Sequence, residues 1–380
     1  MNARPDNDTA IIAPALPARF HWLDFMRFLA ALAVVLHHYY FLYLNGSIRV
    51  MSEDAMIALF PFAGMRFFYD YGQYAVQFFW VLSGFVFAHT YFRKPSDGIG
   101  FATARFARLY PLHFATLIIV AALQIVSVDM TGVSQITTHN DAYHFVLQLF
   151  FVSAWGLQEG DSFNAPIWSV SVEIAAYIVF FLLHCKRLFQ TTGGQVLAVF
   201  TAIALSSVPG LNTVAACIAF FLAGCLTYTL VRTRRTIDYA IAGMLVLLAL
   251  RFPDALILFN TPMAVPLATF AVVVFAGAWL DILRLPGGRI AGHLGDFTYS
   301  VYLLHTPLII SALIALNATG DTGRVLLGSP VTLAAYLGCL MTAALVCYRC
   351  FERPADRAIR AWVKAKRAQA GAAEAEIRAI

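Results

Sequence analysis

The chain has 380 residues, of which 60% are hydrophobic and 12% charged, against roughly one-quarter charged in soluble domains. Its apolar residues fall in long runs, such as Phe28 to Leu44, Val196 to Val208, Met263 to Leu280 and Val325 to Val346, close to the roughly 20 residues a membrane-crossing helix needs, and this excludes a soluble protein. The net charge of +5 does not point to nucleic acid as a partner, because the basic residues are spread over helix ends and loops rather than gathered in one patch.

Met1 to Arg19 is polar, carries Asp6 and Asp8 and lacks a small-residue cleavage pattern after a short apolar run, so the first span is expected to stay in the mature protein. Apolar stretches follow at about 20–44, 74–92, 109–128, 144–157, 166–184, 194–208, 213–231, 237–251, 263–281, 296–317 and 328–350. His144 to Leu157 is short for a span and reads as an interfacial or re-entrant segment. The expected fold is therefore all-α: a polytopic integral membrane protein of about ten transmembrane helices plus that short segment.

With a cytoplasmic N-terminus, the inner ends and loops hold Arg4, Arg19, Arg93, Lys94, Arg105, Arg108, Lys186, Arg187, Arg232, Arg234, Arg235, Arg284, Arg289 and the group beginning at Arg349. The outer side holds Arg49, Arg66, Arg251 and Arg324, and Arg27 lies inside the first span. That asymmetry follows the positive-inside rule and places both termini in the cytoplasm. The expected organisation is a cytoplasmic segment at 1–19, a transmembrane domain at 20–354 and a charged helical tail at 355–380. No internal repeat is visible, which disfavours repeat-built transporters. The cysteines, Cys185, Cys217, Cys225, Cys339, Cys347 and Cys350, have neither paired metal spacings nor a disulfide pattern. They read as apolar packing residues, and no metal site is expected.

The first span carries Asp24, Arg27, His37 and His38. Ionisable groups are costly within a bilayer and must face water or the protein interior. Eleven helical positions separate Arg27 from His38, which puts the two within about 20° of one face, whereas His37 points about 100° away. Asp24 is within pairing reach of Arg27. One reading is a functional stripe of carboxylate, guanidinium and imidazole; the other is an interfacial Asp24–Arg27 pair below a histidine that merely approaches the outer headgroups.

Six blocks in order are similar to those of the acyltransferase-3 family of membrane proteins, which acylate glycans and some small molecules. They are Arg27 to His38, with ten residues between; Gly72-Gln73-Tyr74-Ala75-Val76-Gln77-Phe78-Phe79-Trp80-Val81-Leu82-Ser83-Gly84-Phe85; and Arg105-Phe106-Ala107-Arg108-Leu109-Tyr110-Pro111-Leu112-His113. Asn164-Ala165-Pro166-Ile167-Trp168-Ser169-Val170-Ser171-Val172-Glu173, Tyr299-Ser300-Val301-Tyr302-Leu303-Leu304-His305-Thr306-Pro307 and Phe351-Glu352-Arg353-Pro354 complete the series. Gln77 and Trp80 depart from the pattern, where an acidic residue and a smaller apolar one are more usual. No secreted hydrolase-like domain follows the last span, so the chain resembles the stand-alone members.

The resemblance implies transfer of an acyl group, usually acetyl, from cytoplasmic acyl-CoA to a hydroxyl of an extracytoplasmic glycan or glycolipid, in a bacterial inner membrane. Acyl-CoA is then a co-substrate, no bound cofactor is expected, membrane lipids are the surroundings, and the oligomeric state is open. His38 is the candidate base, with a pKa suited to neutral pH. Glu173 is its candidate carboxylate partner, or else a charge favoured near a helix N-terminus. Arg27 completes the candidate catalytic set. Arg105 and Arg108 share a helix face and are candidates for the CoA phosphates, or else a topology signal. His305 is expected near mid-membrane, lining the acyl path or bonding a neighbouring helix. Trp168 is a candidate acceptor-binding surface or an interfacial anchor, and Asp24 a candidate substrate contact. Ser83 is read as helix packing, not as a nucleophile. A multi-pass transporter or flippase of a polar or glycolipid substrate is the alternative, since intramembrane Arg, His and Glu also suit solute pathways.

Overall fold

The structure, a computed structural model, describes residues 16–45, 48–49, 52–92, 97–185, 189, 191–258, 261–319 and 321–378. Arg4, Arg93, Lys94, Lys186 and Arg187, which entered the charge asymmetry, lie outside them. The principal helices are α1 (His21–His38), α2 (Ala75–Tyr91), α3 (Gly98–Thr131), α4 (Ala142–Leu149), α5 (Ile167–Cys185) and α6 (Thr192–Leu205). They continue as α7 (Asn212–Thr233), α8 (Thr236–Arg251), α9 (Ala264–Ile282), α10 (Thr298–Thr319), α11 (Pro330–Cys347) and α12 (Arg353–Arg378). Sheet among the described residues amounts to two hairpins, Leu44–Asn45 with Ile48–Arg49 and Ile257–Leu258 with Thr261–Pro262. The protein is an all-α polytopic membrane protein.

Every segment expected to cross the membrane is helical. Seven helical runs among the described residues are long and apolar enough to do so, and they contain α1, α3, α5, α7, α9, α10 and α11. The other three, α2, α6 and α8, have 17, 14 and 16 residues. The helix in the short segment, α4, has 8 residues, about 12 Å at 1.5 Å per residue, too little to cross roughly 30 Å of hydrocarbon. Large apolar side chains stand outward around the bundle, among them Ile125 at 72% and Leu197 at 68% exposure. Lipid accepts such surface where water would not.

The innermost helix is α7, buried on nearly every side. It lies against α2 through two glycines: a Cβ at Gly84 would strike the Phe221 carbonyl, and one at Gly224 the Val81 carbonyl. With no side chain at either point the backbones touch, and the Cys225 thiol donates to the Gly84 carbonyl at 3.2 Å. Small residues at such crossings replace the hydrophobic drive that is weak between helices in lipid. Gly84→Leu is expected to cost about 3 kcal/mol or more, by overpacking against backbone that cannot yield. Size-exclusion profiles of the detergent-solubilised protein measure this; a monodisperse variant at normal yield contradicts it.

Two helices overrun their expected limits. The sequence places the third span at 109–128, but α3 has 34 residues, about 51 Å long, so one end projects well beyond the hydrocarbon. Asp97 caps it by accepting from the Gly100 amide, and Gly132, at φ +76°, ends it. Along the projecting turns runs α12, continuous with α11 through a π-helical turn at Tyr348–Glu352. Arg360 donates to the Ala104 carbonyl at 3.0 Å and Arg367 pairs with Asp97 at 2.8 Å. The charged tail is thus a helix, as expected, and it joins the transmembrane bundle without a break at 354–355.

Candidate active site

At the N-terminal end of α1, Asp24 accepts from Arg19 at 2.5 Å and from Arg27 at 2.6 Å. Arg19 also pairs with Asp296 at 2.6 Å. Arg27 donates a second bond to the Gly295 carbonyl at 3.1 Å, a contact that Gly295 permits, since a Cβ there would collide with the Asp24 backbone. The α1 stripe is therefore clamped at its base by an alternating chain of charges, Arg19 and Arg27 on Asp24 and Arg19 on Asp296.

Above this clamp lies a cavity of about 180 Å³, lined by Arg27, Arg105, Arg108, Glu173, Ser83, Tyr177, Tyr299 and Tyr302 among others. Its arginines differ in state. Arg108 pairs with Glu352, which is 2% exposed and also accepts from Ser300. The π-helical turn at 348–352 presents that glutamate, an instance of π geometry at a functional position. Arg105 instead lies over the Phe87 ring at 4.6 Å, its buried Nε has no hydrogen-bond partner, and it makes no ion pair among the described residues. Glu173 has Ser83, Tyr177 and Arg105 as its polar neighbours. Arg105 is thus near Glu173 but bonded to no carboxylate among the described residues.

Toward the other end of α1 a second cavity, about 400 Å³, is lined by His37, His38, Gln73, Asp161, Trp168 and Tyr302 among others. His38 is the last residue of α1, before a 3₁₀ turn at Tyr39–Tyr43. Tyr39 fixes that turn by donating to the Leu327 carbonyl at 2.9 Å. The His38 ring lies 4.9 Å from Phe41, nearly parallel to it, and its Nδ1 is 2.9 Å from Nε2 of His305 on α10. His37 is tied elsewhere, its Nδ1 donating to the Tyr69 carbonyl at 2.9 Å.

Two ring nitrogens at that distance share a single proton, one donating and one accepting. Nδ1 of His305 is buried beside the carbonyls of Val301 and Tyr302 without completing a hydrogen bond. Carbonyls only accept, so they favour the proton on that nitrogen, and His305 Nε2 then accepts from His38 Nδ1. His38 Nε2 keeps its lone pair and makes no hydrogen bond among the described residues. The partner of the imidazole fixes its tautomer, as in hydrolase triads, with a second imidazole in the carboxylate's place.

The two cavities sit in one helix bundle that the six sequence blocks hold together. Asn164 donates to Thr116 and to the Leu303 carbonyl, each at 3.2 Å, joining α5 to α3 and α10. His113 bonds the Gln148 carbonyl at 2.8 Å, so it is structural. A family profile described as an acyltransferase domain, acyltransferase-3, matches residues 20–349.

The chain belongs to the acyltransferase-3 family.

Among curated proteins it is similar to an acyltransferase, MdmB, of Streptomyces mycarofaciens: 33% identical over 115 residues, 29% of this chain and 27% of that one. It is also similar to protein 2 of the picA locus of Rhizobium radiobacter, 50% identical over 52 residues, 13% of this chain and 27% of that one. The chain thus spans about a quarter of the length of the curated relatives it matches. No solved structure matches it.

The acyltransferase-3 blocks distribute differently from the sequence expectation. Arg27 and His38 share a face of α1, as the spacing requires, but open into different cavities. Glu173 is not the partner of His38: it lines the arginine cavity, while Trp168, five residues earlier and about 7.5 Å higher along the helix, lines the histidine cavity. His305 lines neither; it bonds His38, which decides for the interhelical bond over the acyl path. Asp24 lies outside the histidine cavity with both oxygens held by arginines, so it positions Arg27 rather than touching an acceptor. Trp168 lines the histidine cavity and packs edge-on against Trp80 at 5.8 Å. Asp161 was missed. It stands in the connection between α4 and α5 and lines the histidine cavity. No periodic pattern marks such a loop residue; only its distance before Trp168 hinted at it.

Proposed function

We propose that this acyltransferase-3 protein is a bacterial inner-membrane O-acyltransferase with both termini in the cytoplasm, moving an acyl group, most simply acetyl, from cytoplasmic acyl-CoA to a hydroxyl of an extracytoplasmic glycan or glycolipid. The observation that carries this is the pairing of two cavities in one bundle: a guanidinium-lined one toward the basic end and an imidazole-bearing one toward the other. Arg105 and Arg27 offer charge to the donor's phosphates, and Arg108 is held by Glu352 as part of the wall. In the other cavity Trp168 offers a flat apolar face and Asp161, Gln73 and Gln158 offer hydrogen bonds, the mixture that a sugar's faces and hydroxyls require.

In the reaction, the acceptor hydroxyl gives its proton to His38 Nε2 as its oxygen attacks the thioester carbonyl carbon. The carbon–oxygen bond forms, the carbon–sulfur bond breaks, and the departing thiolate takes the proton back from His38. While His38 is charged, its Nδ1–H donates to His305 Nε2 as a charge-assisted bond, stronger than in the neutral pair. Washed membranes of the native host, given labelled acetyl-CoA, are expected to yield alkali-labile label in the glycan fraction. A protein that carries solute without making ester leaves that fraction unlabelled and refutes the proposal.

A further inference from the structure

The donor and acceptor cavities meet at two residues whose side chains line both, Val76 at the start of α2 and Tyr302 on α10. Both are nearly buried, each 7% exposed. Neither residue is free to retreat. Immediately before α2, Gly72 is pressed so closely to α1 that a Cβ there would strike the Ala33 carbonyl and the His37 side chain. On the other side, the Tyr302 hydroxyl is held by the Ser169 hydroxyl at 2.7 Å and donates to the Pro166 carbonyl at 3.0 Å, and its ring stands 5.8 Å from that of His305.

A polar wall would offer the thioester hydrogen bonds, but Val76 has none to give and the Tyr302 hydroxyl is already engaged. What the pair controls is space. An acyl group arriving from the arginine side must lie between them for its carbonyl to face an acceptor held beside His38. With the Val76 backbone packed against α1 and the Tyr302 side chain anchored, the free width there is set by side-chain volume, and the compact, χ1-restricted valine is the element that a substitution alters without breaking a hydrogen bond.

We propose that Val76 and Tyr302 form the aperture through which the acyl thioester reaches His38, and that the volume of Val76 sets the bulk of the acyl group transferred, admitting acetyl and excluding branched chains. This rests on the acyltransferase reading given above. The aperture selects by cross-section, so isobutyryl is disfavoured more than a linear group of the same carbon number.

The test compares labelled acetyl-CoA with labelled isobutyryl-CoA in washed membranes of the native host carrying the full chain. Val76→Ala, which removes two methyl groups, is expected to raise the ratio of isobutyryl to acetyl ester by roughly tenfold or more, since a single methyl-sized group in an apolar site already supplies about that discrimination. A ratio within one preparation is insensitive to how much variant folds. Val76→Phe is expected to lower the maximal rate with acetyl-CoA while leaving the acyl-CoA concentration for half-maximal rate unchanged, because the arginine cavity still holds the donor. An unchanged ratio in Val76→Ala, in membranes where the native chain makes ester, overturns the aperture and leaves the acyltransferase reading standing. No ester from either donor with the native chain removes that reading and the aperture with it.

Discussion

Replacing His38 with alanine is expected to lower ester formation by about 10²–10⁴-fold, the contribution of a positioned general base, with the protein still inserted and folded. The structural cost is modest. His38 ends its helix, so no helical hydrogen bond depends on its side chain, and α1 remains held by the charge clamp at Arg19, Asp24 and Arg27 and by Tyr39. What is lost is one buried bond to His305, leaving its Nε2 with only the long contact to the Thr306 hydroxyl at 3.5 Å, at a cost of about 1–3 kcal/mol. His305→Ala is expected to fall between that variant and the native chain, because the base survives but its tautomer is no longer fixed. Alkali-labile label measured beside the detergent elution profile separates activity from folding. Native-level ester in a folded His38→Ala protein rules out the base.

The arginines of the other cavity are expected to respond in opposite ways. Arg105→Ala should raise the acyl-CoA concentration for half-maximal rate by roughly 10–100-fold, since a hydrogen bond to a charged group is worth about 1.5–3 kcal/mol. Arg108→Ala should instead destabilise the fold by about 3–5 kcal/mol, because it strands the buried carboxylate of Glu352 without its counter-charge. Adding Glu352→Gln to Arg108→Ala should recover much of that stability by removing the stranded charge. Thermal unfolding in detergent and acyl-CoA titration of the rate are the two readouts. If Arg108→Ala is as stable as the native chain, or if Arg105→Ala leaves the acyl-CoA requirement untouched, the assignment of one arginine to structure and the other to donor fails.

Local rules located several parts of this site correctly. The interval from Arg27 to His38 placed both on one face of α1 because helix periodicity needs no knowledge of neighbours. The reading of Gly84 as close packing holds, in that it meets α7 backbone to backbone, whereas its neighbour Ser83 lines the arginine cavity beside Glu173. Glu173 shows where such rules stop. A depth counted along α5 from one membrane face and along α1 from the other carries the errors of both lengths, so sequence alone does not fix whether Glu173 meets His38. A difference of five residues, about 7.5 Å along a helix, is enough to move a carboxylate from one cavity to the next. The partner of His38 comes from a residue 267 positions away, and nothing in either segment names the other.

The sequence by itself determined that the chain is helical and membrane-embedded, roughly where each span lies, and which ionisable groups are too costly to be idle in lipid, because hydropathy and the 3.6-residue turn act within a single segment. Tertiary structure alone decided that His38 bonds His305, that Arg108 pairs with Glu352 while Arg105 lies near Glu173, that Asp161 lines the cavity of the imidazole, and that Val76 and Tyr302 line both cavities. Those outcomes depend on which helices touch and at what height, and that is fixed by side-chain volume and close backbone contact between segments far apart in the chain.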